Sequence, residues 1–357
     1  MKKLKGHRGD VYAIIIFQKW ILSAGYDRVI RVWNVSNGQF IRSMSGHSSL
    51  IRSLAAIPPS LSVASASWDN TIKVWNIRSG ALLATLEGHA NRVKSVVYHQ
   101  MSPDRTYLIS GSDDCTLKLW DTESFSELRT YTSHSQPVLC VAVAEKEQHS
   151  IFASGSADHT VQLFILEAQL ETTQSFMTLS GHQAPVTGVV FTGDNDSATL
   201  CSCSEDMSIL LWDCGTGYVI HKFLGHTGPC HSLTTFSLLS TDFLLPTRTE
   251  DIVSTSIDGT VRIWNTTKQA EVKKLSFTNG CLFSAAVGDE TPSSPGGSGA
   301  QALVIAGDDG FLQMYPSFGS WRATCVQRSL LQLGEAEVPA AAGTAAAYPL
   351  LGETPSQ

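Results

Sequence analysis

The stretch GSDDCTLKLW (residues 111–120) places an aspartate, Asp114, six residues before a tryptophan, Trp120, with the alternating segment TLKL between them. The same spacing recurs along the chain, at Asp27 and Trp33, Asp69 and Trp75, Asp206 and Trp212, and Asp258 and Trp264. Two weaker copies end in another aromatic residue, at Asp158 and Phe164 and at Asp309 and Tyr315. Successive aspartates lie 42 to 52 residues apart, a period typical of stacked supersecondary units. The sequence therefore predicts an array of seven repeats.

Each repeat divides into four short aliphatic or β-branched runs. In the second repeat they are LIRSLAAI (50–57), SVASAS (62–67), TIKVWNI (71–77) and ALLATLE (81–87), separated by Pro58-Pro59, Asp69-Asn70 and Ser79-Gly80. Short runs bounded by turn formers are typical of strands, and no helical periodicity competes with them over a comparable length. The aspartate then lies in the tight turn that enters the third strand, and the tryptophan lies within that strand. We therefore predict an all-β chain.

The composition describes a foldable, soluble protein. Of the 357 residues, 43% are hydrophobic and 16% are charged, and no apolar run approaches the length of a membrane span. Polar residues Gly6 to Asp10 follow the initial MKK, so we expect no export signal. The eight scattered cysteines lack paired CxxC elements, which favours reduced, buried thiols and a cytoplasmic or nuclear location. A net charge of −7 gives no general attraction to nucleic-acid phosphates.

A serine and a histidine accompany the aspartate and the tryptophan. The serine stands four residues before the aspartate, and the histidine, usually after glycine, stands before the first strand. A buried indole N–H needs an acceptor. A hydroxyl can accept from it and donate to one imidazole nitrogen, while the other imidazole nitrogen donates to the carboxylate. We predict such structural tetrads at His7, Ser23, Asp27 and Trp33; His47, Ser65, Asp69 and Trp75; His89, Ser110, Asp114 and Trp120; His182, Ser202, Asp206 and Trp212; and His226, Ser254, Asp258 and Trp264.

The recurring Gly-His and Trp-Asp pairs resemble the signatures of the WD40-repeat family. Trp-Asp occurs at Trp120-Asp121 and Trp212-Asp213, with the variant Trp-Asn at Trp33, Trp75 and Trp264. The resemblance covers about residues 1–327 and implies a seven-bladed β-propeller of four-stranded antiparallel blades, in which the tetrads are structural.

Serine, histidine and aspartate together also suggest a hydrolase. A catalytic triad is needed once, at one exposed site beside an oxyanion hole, whereas this set recurs and is tied to an indole. We therefore predict no catalytic residue, no cofactor and no metal. Cys201 and Cys203, which alternate along a strand, are interpreted as core residues.

Two repeats depart from the tetrad. The fourth has Phe164, which cannot donate a hydrogen bond, in the tryptophan position. The seventh has Ile305 in the serine position, Tyr315 in the tryptophan position and no Gly-His pair. We expect the seventh blade to be the loosest, held by packing and by closure of the ring.

Ring closure has two candidate strands. In the family the chain usually begins with the outermost strand of the last blade, and KKLK (2–5) fits that position, whereas WRATCVQ (321–327) follows the seventh repeat at the usual interval. We favour closure by the N-terminal strand, with closure by residues 321–327 as the alternative. The Ala-rich residues 328–357 are predicted to form a disordered tail, with a short docking helix as the alternative.

The resemblance also implies a docking surface on the rim around the Gly-His loops. Its exposed positions are the residue before each turn aspartate and the residues three and five after each histidine. Aromatic and arginine side chains dominate protein interfaces, and in the first three blades these positions form a predicted partner-binding patch at Tyr12, Tyr26, Arg52, Trp68, Arg92, Lys94 and Asp113. In the alternative interpretation, Trp68 folds over its neighbouring blade and Arg52 is merely solvated.

The predicted function is a non-catalytic scaffold that binds other proteins or peptides, within a multiprotein complex, and not nucleic acid, a membrane or a small-molecule substrate. One alternative is a substrate receptor of a cullin-type ubiquitin ligase, because WNIR (75–78) resembles an adaptor-docking box of some WD40 proteins, with Asn76 in place of the aspartate. A weaker alternative is a propeller enzyme with a site in the central channel. The predicted channel-lining first strands are mostly apolar or small, which disfavours that alternative.

Overall fold

The computed structural model describes residues 2–102, 104–144, 150–166, 173–192, 199–239, 248–277, 280–289 and 301–315. These residues form 28 β-strands and no helix. The strands make seven antiparallel sheets of four strands each, which are the blades of a β-propeller. The predicted fold class is therefore confirmed.

In blades 1 to 6 the strands follow chain order from the innermost to the outermost. Blade 1 consists of β2 (Val11–Phe17), β3 (Trp20–Gly25), β4 (Val29–Asn34) and β5 (Phe40–Ser45). Blade 2 consists of β6 (Ile51–Ile57), β7 (Ser62–Ser67), β8 (Ile72–Asn76) and β9 (Leu82–Leu86). Blade 3 consists of β10 (Val93–Ser102), β11 (Arg105–Ser112), β12 (Leu117–Asp121) and β13 (Glu127–Tyr131).

The next three blades repeat this pattern. Blade 4 consists of β14 (Val138–Ala144), β15 (Ser150–Ser156), β16 (Thr160–Leu166) and β17 (Met177–Ser180). Blade 5 consists of β18 (Val186–Thr192), β19 (Thr199–Ser204), β20 (Ile209–Asp213) and β21 (Val219–Phe223). Blade 6 consists of β22 (Cys230–Leu239), β23 (Arg248–Ser256), β24 (Thr260–Asn265) and β25 (Ala270–Ser276).

The N-terminal strand closes the seventh blade. Blade 7 consists of β26 (Leu282–Asp289), β27 (Gln301–Gly307), β28 (Phe311–Tyr315) and, outermost, β1 (Lys2–Lys5). Lys2 faces Met314 and Leu4 faces Leu312 in the β1–β28 pairing. The favoured closure is therefore the one that the structure shows. The alternative strand at 321–327 and the predicted tail at 328–357 lie outside the described residues.

Each third-strand aromatic side chain joins its blade to the preceding one. Trp75 of blade 2 lies in a buried cluster with Leu22 and Val32 of blade 1, and Trp120 of blade 3 lies in another with Ala64 and Val74 of blade 2. The same relation holds for Trp33, Phe164, Trp212 and Trp264. Burial of these large rings between sheets is a main source of the free energy that holds the ring of blades together.

The turn that carries each tetrad aspartate has a constant backbone form. The residue after the aspartate adopts a left-handed conformation in every blade, with φ between 64° and 72° at Arg28, Asn70, Cys115, His159, Met207, Gly259 and Gly310. This conformation turns the chain sharply from the second strand into the third. The loop before the first strand and this aspartate turn meet at one face of the propeller, which we call the Gly-His face.

Candidate docking face

The predicted tetrads are brought together as hydrogen-bonded chains. In blade 2 the Trp75 indole donates to the Ser65 hydroxyl at 2.9 Å, the Ser65 Oγ lies 2.7 Å from His47 Nε2, and His47 Nδ1 lies 2.7 Å from a carboxylate oxygen of Asp69. The corresponding groups of blades 1, 3, 5 and 6 are joined at 2.7 to 3.1 Å. In each of these blades, this series of hydrogen bonds fixes the loop before the first strand to the aspartate turn.

The surroundings of the tetrad aspartates and of Asp158 in blade 4 favour ionisation. Burial opposes their ionisation, but hydrogen bonds from the histidine, from a neighbouring hydroxyl or arginine and from the backbone outweigh it. These bonds hold the pKa values of Asp27, Asp69, Asp114, Asp158, Asp206 and Asp258 below the usual range. Burial lowers the pKa of His134 and of His226 despite the adjacent carboxylate.

Blade 4 replaces the indole by an aromatic cluster. His134 still contacts Ser154 at 2.7 Å and Asp158 at 2.8 Å. Phe164 stacks on Phe152, with ring centroids 4.7 Å apart, and Tyr131 meets its edge at 5.4 Å. The packing of three buried rings therefore takes the place of the indole hydrogen bond in this blade.

Blade 7 uses packing in place of the tetrad. Ile305 is fully buried and belongs to one apolar cluster with Val253 and Ile263 of blade 6. The Tyr315 ring lies against the same cluster. Whether this blade is the loosest remains a prediction.

The predicted partner-binding residues lie together on the Gly-His face. Trp68 of blade 2 lies beneath two cations of blade 3, because the Arg92 guanidinium and the Lys94 ammonium are each 4.4 Å from the ring centroid. Lys94 also forms an ion pair of 3.3 Å with Asp113. Trp68 thus folds over the neighbouring blade and is only partly exposed. The Trp68 Nε1 is buried without an acceptor in the described part of the chain.

The other three predicted residues, Tyr12 and Tyr26 of blade 1 and Arg52 of blade 2, continue this surface. The Arg52 guanidinium lies 5.6 Å from the centre of the Tyr12 ring, and its Nη1 donates to the Tyr12 carbonyl oxygen at 3.5 Å. Tyr12 donates its hydroxyl proton to Asp10 at 2.8 Å. Burial and this carboxylate raise the pKa of Tyr12 to about 12. Tyr26 is 62% exposed. We call Tyr12, Tyr26, Arg52, Trp68, Arg92, Lys94 and Asp113 the blade 1–3 patch.

The patch reaches the opening of the central channel. In blades 1 to 6, the residue five positions after the histidine that precedes the first strand lines a cavity of about 210 Å³. Phe283 of blade 7 lines the same cavity. We call these residues the channel mouth: Tyr12, Arg52, Lys94, Leu139, Thr187, His231 and Phe283. Burial, and then the charge of Arg52, lower the pKa of His231 to about 4. His231 is therefore neutral at neutral pH.

Phe283 also belongs to the channel mouth, but its position could not be predicted from the sequence. The seventh repeat has no Gly-His pair from which to count five residues. Strand pairing supplies the missing register. Leu282 faces Gly307 in blade 7 as Val11 faces Gly25 in blade 1. Phe283 therefore occupies the position of Tyr12, and the two rings lie 5.1 Å apart.

Among the described residues, no group of three or more histidine, cysteine, aspartate or glutamate side chains is placed to hold a metal ion. Within the same residues, no helix is long and apolar enough to cross a membrane.

Comparison with known proteins assigns the repeats. The model of the WD domain, G-beta repeat matches residues 1–34, 38–76, 80–121, 125–164, 173–213 and 217–265. Strands β26 to β28 of blade 7 lie beyond these six segments.

Individual relatives match parts of the chain. The nuclear distribution protein nudF of Aspergillus niger is 33% identical over 178 residues, which are 48% of this chain and 34% of that protein. The nuclear distribution protein PAC1 of Arthroderma otae is 32% identical over 47% of this chain and 34% of its own length. Protein TOPLESS of Arabidopsis thaliana is 27% identical over 36% of this chain and 11% of its own length. The chain thus matches about a third or less of these relatives' lengths. Since the repeat model covers more than half of the chain and the structure has the corresponding blades, the chain belongs to the WD40 family of WD domain, G-beta repeat proteins.

Proposed function

We propose that this protein is a non-catalytic scaffold that binds partner proteins or peptides through the blade 1–3 patch. The main observation that supports the proposal is that the cations of Arg92 and Lys94 both lie over the partly exposed Trp68 ring. Tryptophan, tyrosine and arginine supply most of the binding free energy in protein interfaces. Five of the seven patch residues are of these types. Tyr12, Arg52 and Lys94 lie on first strands, and the other four lie in the adjoining loops and turns.

The geometry of the tetrads supports a non-catalytic role. The tetrad serines Ser23, Ser65, Ser110, Ser202 and Ser254 are fully buried. Each accepts from an indole and contacts a histidine, so its hydroxyl cannot meet a substrate without breaking the blade.

The corner that suggested a ubiquitin-ligase receptor has a local explanation. Asn76 Oδ1 accepts from the backbone N–H of Ser79 at 2.9 Å and from its hydroxyl at 3.1 Å, which fixes the turn between β8 and β9. Arg78 is exposed at this corner. The asparagine thus performs the turn-forming role that an aspartate would perform, and the scaffold proposal rests on the patch instead.

Affinity capture with quantitative mass spectrometry tests the proposal. The full chain is compared with a Trp68→Ala, Arg52→Ala double variant and with a control, Glu205→Ala, Gln183→Ala, which changes two exposed residues of blade 5 on the same face that do not line the channel mouth. We expect specific partners to be lost from the patch variant and retained by the control. Partners retained equally by both variants would contradict the proposal.

A further inference from the structure

Arg52 is a partly buried cation that lacks a carboxylate partner among the described residues. Its hydrogen bond to the Tyr12 carbonyl oxygen is long, at 3.5 Å. Three other partly buried cations of the propeller are paired with carboxylates: Arg31 lies 2.5 Å from Asp27, Lys118 lies 2.8 Å from Glu127, and Lys94 lies 3.3 Å from Asp113. A guanidinium that has lost water without gaining an anion costs folding free energy, so an uncharged side chain at this position would be more favourable for stability alone.

The nearby acidic groups are engaged elsewhere. Asp113 is paired with Lys94, and Asp10 accepts the hydroxyl proton of Tyr12. The positive charge of Arg52 is consequently felt by its neighbours across the channel, where it helps to lower the pKa values of His231 and Lys94. The channel mouth therefore holds an excess positive charge centred on Arg52.

The cavity beside Arg52 has a shape and lining suited to a short acidic side chain. Its volume is about 210 Å³, and Tyr12, Phe283 and Leu139 supply apolar walls. On the side of blade 6, the ring of His231 meets the edge of Phe283 at 5.2 Å. The Nδ1 of His231 is buried without a partner in the described part of the chain. His231 lines the same cavity as Arg52, so a guanidinium and a second polar side chain border it.

We propose that the channel mouth is a binding site for one aspartate or glutamate side chain of a partner protein, with its carboxylate paired to Arg52. Guanidinium and carboxylate form two parallel hydrogen bonds in their best geometry, and the methylene groups of the acidic side chain contact Tyr12, Phe283 and Leu139. A single carboxylate matches the one guanidinium that lines the channel mouth, that of Arg52. A phosphate dianion would bring a second negative charge toward Asp10 and Asp113, which disfavours it.

This inference rests on the proposed docking function and adds the chemistry of the ligand. The probe is a display library of random twelve-residue peptides selected against the full chain. We expect selected peptides to contain an acidic residue whose replacement by its amide weakens binding at least about tenfold, as for a buried charge-assisted pair. The same replacement is expected to change binding to an Arg52→Met variant less than about twofold.

Arg92→Met is the matched control, because Arg92 is an exposed arginine of the same patch. In that variant the preference for the acid over the amide should persist, even where overall binding is weaker. Arg52→Met should also raise the melting temperature of the free protein, since it removes an unpaired cation. A lower melting temperature would contradict the inference.

The outcomes separate the two proposals. Peptides that require Trp68 but show no acid preference dependent on Arg52 would overturn the carboxylate site and leave the docking patch intact. Peptides unaffected by Trp68→Ala and Arg52→Met, or no selected peptide at all, would count against both. Displacement of the peptides by inorganic phosphate at concentrations where acetate has no effect would assign the site to a phosphorylated ligand and overturn the carboxylate proposal.

Discussion

The indole N–H of Trp75 donates a 2.9 Å hydrogen bond to the Ser65 hydroxyl, while the Trp75 ring lies in a buried cluster with Leu22 and Val32 of the preceding blade. The Trp75 side chain therefore makes two kinds of contact, a hydrogen bond within its own blade and apolar packing against the preceding blade. Its polar end fixes the loop and turn of its own blade through His47 and Asp69, and its apolar face attaches that blade to its neighbour.

Removal of a tetrad serine should cost more in a blade with an indole than in the blade without one. Ser65→Ala leaves both Trp75 Nε1 and His47 Nε2 without their partner, whereas Ser154→Ala leaves only His134 Nε2. With about 1–3 kcal/mol for each unsatisfied buried group, Ser65→Ala should lower the free energy of unfolding about twice as much as Ser154→Ala. Urea denaturation of the two variants measures the difference, and equal losses would argue against the hydrogen-bonded chain.

Acid should destabilise the propeller in two stages. The folded-state pKa values of His134 and His226 are lowered, so the unfolded chain binds protons first, and stability is lost as the pH falls below about 6.5. The pKa values of the tetrad aspartates are also lowered, so their contribution is fully present above about pH 4 and is lost below it.

Urea denaturation at intervals between about pH 7.5 and about pH 3 follows both stages. The upper limit lies about one pH unit above the ordinary pKa of histidine, and the lower limit lies about one pH unit below that of aspartate. Asp69→Asn should show a shallower loss of stability below about pH 4, because one carboxylate with a lowered pKa is absent. A free energy of unfolding that stays constant down to pH 4 would be inconsistent with the first stage.

The N-terminal strand should control the stability of blade 7. Leu4 is 5% exposed and belongs to a cluster with Leu312 and Met314, whereas Lys3 is exposed. Leu4→Ala should cost about 2–4 kcal/mol, as large-to-small core substitutions do, and Lys3→Ala should cost little. Hydrogen exchange at the amides of β28 should accelerate in Leu4→Ala. Unchanged exchange at β28 would show that β1 does not secure this edge.

The repeat spacing was sufficient to predict the blades, because each aspartate turn and each third strand are local in sequence. It also identified the N-terminal strand, since KKLK directly precedes the first Gly-His pair. Contacts between blades could be predicted only as alternatives, because folding of Trp68 over the neighbouring blade was one of two interpretations of that residue. The packing of Trp68 under Arg92 and Lys94 depends on the angle between blades 2 and 3, and no sequence spacing encodes that angle.

The composition of the channel mouth also could not be predicted from the repeat spacing. Arg52 and His231 are 179 residues apart in the chain and become neighbours only when the ring closes. Whether acidic side chains surround Arg52 depends on the positions of the neighbouring blades, which the sequence does not give. The position of Phe283 required the register of β26 with β27.

Hydroxyl-radical footprinting of the protein, alone and in complexes recovered by affinity capture, tests the docking face most directly. Tyr26 on the Gly-His face is 62% exposed, and Tyr218, in the turn between β20 and β21 at the opposite end of the strands, is 77% exposed. We predict that bound partners reduce oxidation of Tyr26 and Trp68 and leave oxidation of Tyr218 unchanged. Protection of Tyr218, with Tyr26 and Trp68 oxidised as in the free protein, would contradict this prediction.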